Sequence, residues 1–148
     1  MAESKLETRN LKLAKPPASA NGQIRDFTDL AVWRLARELR KGVYSMVRVF
    51  PSDEKFGLAA QIRRAAVSVT ANIAEGFGRY SYQENIQFCR QARGSVFEVR
   101  DHLITAKDEG YMSLAEYEQS DGLAQRVIQT LNGYIRSTQA RLKAGPKA

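Results

Sequence analysis

Glu75, Glu84, Glu98 and Asp101, taken with the single histidine His102, are the side chains whose types and spacing could suggest a metal centre in a helical bundle. Glu98 and His102 stand four residues apart, which puts them one above the other on a helix. A di-metal carboxylate centre in a helical bundle needs two Glu-x-x-His pairs, and the chain holds a single histidine, so the set predicts no metal. Nucleophilic chemistry fares no better. A nucleophile needs a neighbouring base and a means of stabilising developing charge, and neither the lone Cys89 nor any serine has that company. Gly76 and Gly78 follow a helical pattern instead of linking a strand to a helix, so they do not read as a phosphate-cradling loop. The expectation is a protein with no catalytic residues, no metal and no cofactor.

Binding chemistry is better represented. Arg34, Arg37, Lys41 and Arg48 recur at helical spacing and predict a basic stripe, placed opposite the Trp33 side of its helix. Such a stripe attracts phosphate backbones without sequence preference. Farther along, Gln61, Arg64, Ser68, Asn72 and Glu75 follow one another at 3, 4, 4 and 3 residues and form a polar seam. Beside it runs an apolar stripe of Ile62, Ala65, Ala66, Val69 and Ile73. That combination predicts a largely enclosed helix whose seam must be matched by polar groups, because buried polar groups cost stability when unpaired. Gln91, Ser95 and Glu98 supply a candidate match, with Arg64 pairing Glu98 to set helix register. Glu75, near a helix C-terminus where the dipole disfavours negative charge, calls for a cation such as Arg79. Phe77, Tyr80 and Tyr82 surround a glycine-rich turn and form a candidate contact patch or stacking surface.

The elements that carry these residues are four helices. The first opens near Phe27, with Thr28 as N-cap and Asp29 in its first turn, keeps its period through Leu30, Trp33, Ala36, Val43 and Val47, and stops before Pro51. Ser52 caps a second helix with Asp53 and Glu54 in its acidic first turn, and Gly76 and Gly78 mark its end. Ser81 with Glu84, and Ser113 with Glu116, read as capping boxes that open the third and fourth helices. Gly110 fits a helix C-terminus. The third helix buries Ile86, Phe88, Val96, Val99 and Leu103, and the fourth Leu114, Tyr117, Ala124, Val127, Leu131 and Ile135. Short loops make consecutive helices antiparallel, so the fold class is all-α, an up-down-up-down four-helix bundle.

The formal charge of +7 is unevenly placed. Residues 1–25 and 141–148 each carry net +3, which leaves +1 for the rest of the 148-residue chain. The division is therefore a flexible basic arm (1–25), a bundle (26–142) and a short basic tail (143–148). No apolar run approaches the length of a membrane span and no signal core is evident, so the expected location is cytoplasmic. A single cysteine excludes a disulfide within the chain.

Several segments together carry a resemblance: DLAVW at 29–33, Tyr44, FPSDEKFGL at 50–58, QIRRAAVSVTANIAEGFGR at 61–79, ARGSVFEV at 92–99 and GY at 110–111. In these the chain resembles the four-helix bundle proteins known as 23S rRNA intervening sequence proteins, a family related to the accessory proteins of diversity-generating retroelements. The resemblance implies a bundle that assembles as a homo-oligomer, typically a ring of five. The family's name records that some members are encoded within insertions in ribosomal RNA genes, and the retroelement relatives bind a reverse transcriptase and nucleic acid. Two readings follow. One is a non-enzymatic oligomer that binds RNA or a ribonucleoprotein through basic helix faces; the other is an oligomeric protein-interaction scaffold with no nucleic-acid binding of its own.

Overall fold

The computed structural model describes residues 22–145, so residues 1–21 of the basic arm and 146–148 of the tail lie outside it. Four helices make the bundle: α1 (Ala31–Val47), α2 (Leu58–Gly78), α3 (Tyr82–Asp108) and α4 (Leu114–Ala144). Each packs on its two neighbours, α1 on α2 and α4, and α3 on α2 and α4, the square arrangement of an up-down bundle. No helix is long and apolar enough to cross a membrane among the described residues.

Both early helix starts fall later than their sequence signals. Thr28 caps nothing: Phe27–Asp29 is a separate 3₁₀ turn in which Asp29 turns back to accept the backbone N–H groups of Arg25 (3.0 Å) and Asp26 (3.1 Å). Leu30 is then extended, and α1 begins at Ala31. Likewise Ser52–Glu54 forms a 3₁₀ turn of its own after Pro51, and α2 starts only after Gly57. The acidic groups at 53 and 54 therefore serve that turn. Delaying the start lets Leu58 and Ala59 enter the core while Phe56 stays in solvent.

The later boundaries follow local chemistry more directly. Ser81 and Ser113 accept the N–H groups of Glu84 and Glu116, both at 3.1 Å, and their hydroxyls donate to the same glutamates' carboxylates. At the end of α3, Gly110 takes φ +76°, and Tyr111 N–H reaches Ala106 carbonyl at 2.9 Å while Gly110 N–H reaches that of Lys107 at 3.0 Å. This paired closure needs a left-handed residue, which glycine supplies without a Cβ penalty. Tyr111 then packs on Phe50 with ring centroids 5.4 Å apart, which ties the two short turns at that end together.

The core is aliphatic, with Val43, Ile62, Val69, Ile73, Val96, Val99, Leu103, Val127 and Leu131 essentially sealed from solvent. Val32 and Leu39 join it, whereas Trp33 and Phe88 are only half-buried. Leu114, expected on the inner side of α4, is 61% exposed because it begins the helix at the bundle's edge; Met112 fills the interior there instead. The α2–α3 pair is close because small residues face each other. A Cβ on Gly76 would lie 2.8 Å from Phe88 Cβ and 3.1 Å from the Asn85 carbonyl.

Cys89 belongs to this interior, and its thiol lies 3.6 Å from Asn85 Oδ1. Burial pushes the thiol pKa up to about 11. Only a thiolate reacts readily, so native protein at pH 8 is expected to remain unlabelled by a disulfide-exchange reagent and to take up one equivalent in urea. Rapid labelling without denaturant would contradict the sealed core.

Candidate nucleic-acid interface

The four cations of the predicted stripe, Arg34, Arg37, Lys41 and Arg48, have different fates. Arg34 Nε donates to the Thr28 carbonyl at 2.9 Å and its Nη2 lies 3.8 Å from Asp29, so its guanidinium braces the N-terminal turn. Arg37 lies over the Trp33 ring, 5.9 Å from its centroid. The stripe is therefore not opposite Trp33; residues four apart share a helix face, and Arg37 covers the tryptophan. Lys41 and Arg48 do converge, and the structure adds Arg40.

These three cations line a cleft of about 520 Å³ between α1 and α2, together with Tyr44, Ser45 and Val67. No carboxylate is among its lining residues. Glu38 approaches from outside, 3.8 Å from Lys41, but both side chains are about 60% exposed, and such pairs are weak and screened. Arg40 is fixed at the cleft's inner end: Nη1 donates to Thr70 Oγ1 at 2.9 Å, and that hydroxyl donates to the Val67 carbonyl at 3.1 Å. Thr70 is buried, so the guanidinium satisfies a hydroxyl that would otherwise lack an acceptor role. Tyr44 (43% exposed) and Val67 (40%) leave apolar surface in water amid the charges. Arg40 and Tyr44 were absent from the predicted stripe. A threonine inside the apolar arc of α2 was the available signal that a donor from another helix had to reach it.

The polar seam runs along the rim of the α2–α3 groove, not inside it. Ser68 and Ser95 hydroxyls meet at 2.9 Å, and Asn72 Nδ2 donates to Ser68 carbonyl and hydroxyl at 2.8 and 3.0 Å. Arg64 hydrogen-bonds Gln61 and comes within 4.0 Å of Glu98, with the two charged side chains 70% and 43% exposed. α2 is thus not enclosed within one chain; its small side chains let α3 approach, and the charges at the groove edge stay in water. Glu75 is met by Arg79 at 2.8 Å, four residues on. His102 lies 3.3 Å from Glu98, and the described residues contain no cluster of three or more His, Cys, Asp or Glu suited to a metal ion.

The three aromatics around the α2–α3 turn are treated differently from one another. Phe77 packs against the core, Tyr82 is half-buried at the start of α3, and Tyr80 is 77% exposed. Only Tyr80 offers a free ring face there.

On the opposite side, α3 and α4 are joined by contacts with no sequence signature. From α3, Arg100 Nε donates to Asp121 Oδ1 at 2.8 Å and Arg93 donates to Asn132 at 2.9 Å; Gln125, four residues after Asp121 on α4 itself, donates to Oδ2 at 2.7 Å. Burial works to raise the Asp121 pKa, but the hydrogen bonds from Arg100 and Gln125 outweigh it and hold the carboxyl below its usual range. A lowered folded-state pKa stabilises the fold above the unfolded value, about 3.9, and that contribution disappears as pH falls through the folded value. Asp121→Asn is therefore expected to lower the urea midpoint at pH 7 by a margin that narrows below about pH 4. An equal margin at both pH values would contradict the assignment.

Residues 28–133 match the family model described as 23S rRNA-intervening sequence protein. The fold is similar to the crystal structure of a protein of unknown function from the S23 ribosomal protein family of Bacteroides thetaiotaomicron, with a TM-score of 0.66 at 21% identity. That alignment covers 71% of this chain and 98% of that one. At such identity the likeness establishes the bundle and nothing of its chemistry. No curated protein matches the sequence.

Proposed function

The chain belongs to the 23S rRNA-intervening sequence protein family, and on that premise we propose that it is a non-enzymatic, homo-oligomeric protein that binds RNA, alone or within a ribonucleoprotein, through the α1–α2 cleft. The observation that carries the reading is the cleft's lining: Arg40, Lys41 and Arg48 without a carboxylate among them. Three cations gathered on one concave face repel each other, and a phosphate backbone relieves that repulsion while releasing its counterions. The basic arm and tail extend the attraction. Assembly as a ring of five, supported by the resemblance, repeats the cleft around the ring, so weak single-site binding multiplies through effective concentration.

A scaffold without nucleic-acid binding is favoured by one feature, the exposed apolar side chains of Val49 (73%) and Phe56 (86%) in the α1–α2 connection. The two readings separate in a salt titration with structured RNA, single-stranded RNA and duplex DNA, on protein whose mass is measured in the same buffer. RNA binding at physiological salt, with log K falling linearly in log salt by an oligomer of five chains, is the expected result. Absence of binding at that salt would overturn the RNA reading and leave the scaffold.

A further inference from the structure

The α1–α2 cleft has a feature that phosphate attraction does not use. Arg40 and Tyr44 on α1 and Arg48 at its C-cap, where the backbone is still helical in φ and ψ, follow one another at intervals of four, so the two arginines stand about 12 Å apart along the helix axis with the tyrosine midway. Val67 faces them from α2, and Lys41 and Ser45 border the same space. We infer that the cleft takes single-stranded nucleic acid, seating one unstacked base against Tyr44 and Val67 while the phosphates on either side of it meet the flanking cations. This rests on the nucleic-acid reading given above and narrows its ligand.

Three physical points favour a single strand. A cation–aromatic–cation order along one helix face mirrors the phosphate–base–phosphate order of an opened strand. In a duplex the base faces are stacked inside, so a docked duplex would engage the cations and leave Tyr44 and Val67 against sugar edges; an unpaired base covers both. Arg40 is already immobilised by Thr70, so one of the two flanking cations is ordered before any ligand arrives.

The test uses the full-length chain and fluorescence anisotropy with a labelled oligouridine and an RNA hairpin stem of equal length. Tyr44→Ala, Tyr44→Phe and Lys41→Gln are compared with the parent, and circular dichroism checks that each is folded. The single strand is expected to bind more tightly than the stem. Tyr44→Ala should weaken single-strand binding about tenfold and leave both the salt slope and stem binding nearly unchanged, and Tyr44→Phe should restore it. Lys41→Gln should instead reduce the single-strand salt slope by about 0.7. If Tyr44→Ala changes nothing, or the stem binds as tightly as the strand, the base seat is wrong although the phosphate surface stands. If neither RNA binds, the broader reading falls and this inference with it. Displacement of oligouridine by poly-glutamate at equal charge concentration would show that the cleft selects charge alone, and would also overturn the base seat.

Discussion

Gly76→Val is expected to destabilise the protein by about 2–3 kcal/mol, while Gly94→Ala raises stability by roughly 0.5–1 kcal/mol. Both glycines lie in helices, and helix propensity alone favours replacing either. Space decides the sign. A Cβ at Gly76 would be 2.8 Å from Phe88 Cβ, 3.0 Å from Asn85 Oδ1 and 3.1 Å from Asn85 O, all on α3. The added methyls of valine force α2 and α3 apart and disturb Asn85, whose Nδ2 donates to the Tyr134 hydroxyl at 3.0 Å and so links α3 to α4. A Cβ at Gly94 would meet nothing within 4 Å beyond the backbone of its own helical turns. Urea unfolding of the two variants measures both effects. A destabilised Gly94→Ala would mean that a second copy packs on this face of α3, which mass measurement of the same variant would reveal as altered assembly.

Reversing two charges, Lys41→Glu with Arg48→Glu, is expected to weaken RNA binding on the order of 100-fold at physiological salt without changing the fold. Lys41 has a 60% exposed side chain and Arg48 is exposed, so neither supports the core. The change removes two phosphate contacts from every cleft and adds repulsion in their place, and in a ring the loss recurs at each subunit. The matching double reversal at Arg34 and Arg37 should act differently. Those arginines serve Thr28, Asp29 and Trp33, so their loss should lower thermal stability more than affinity. Equal losses of affinity from the two pairs would show that the whole of α1 binds, not the cleft.

Much of the bundle was legible because period-3.6 patterning and caps act locally. The apolar stripe Ile62, Ala65, Ala66, Val69 and Ile73 is buried throughout, and the serines at 81 and 113 cap their helices. The helix-start signals at Thr28 and Ser52 fall in 3₁₀ turns, Phe27–Asp29 and Ser52–Glu54, because a polar, acidic first turn suits a 3₁₀ turn as well as an α-helix and packing decides which continues. The candidate site was legible in part. Spacing placed Lys41 and Arg48 on one helix, but which face of α1 meets α2 depends on tertiary contact, so Arg40 and Val67 were out of reach. The partners of Arg34 and Arg37 were hidden for the same reason. In the seam, residue spacing gives the row, while its solvent exposure depends on how far α3 leans over α2. The Arg100–Asp121 link joins residues 21 apart on different helices, and no pattern within either helix announces it.

The most direct test of the account is covalent footprinting of lysine and arginine side chains by mass spectrometry, with and without saturating single-stranded RNA, on the full-length chain. Protection is expected to concentrate at Arg40, Lys41 and Arg48, with Arg34 and Arg37 little changed. Protection confined to the basic arm and tail, with the cleft as reactive as in free protein, would contradict it.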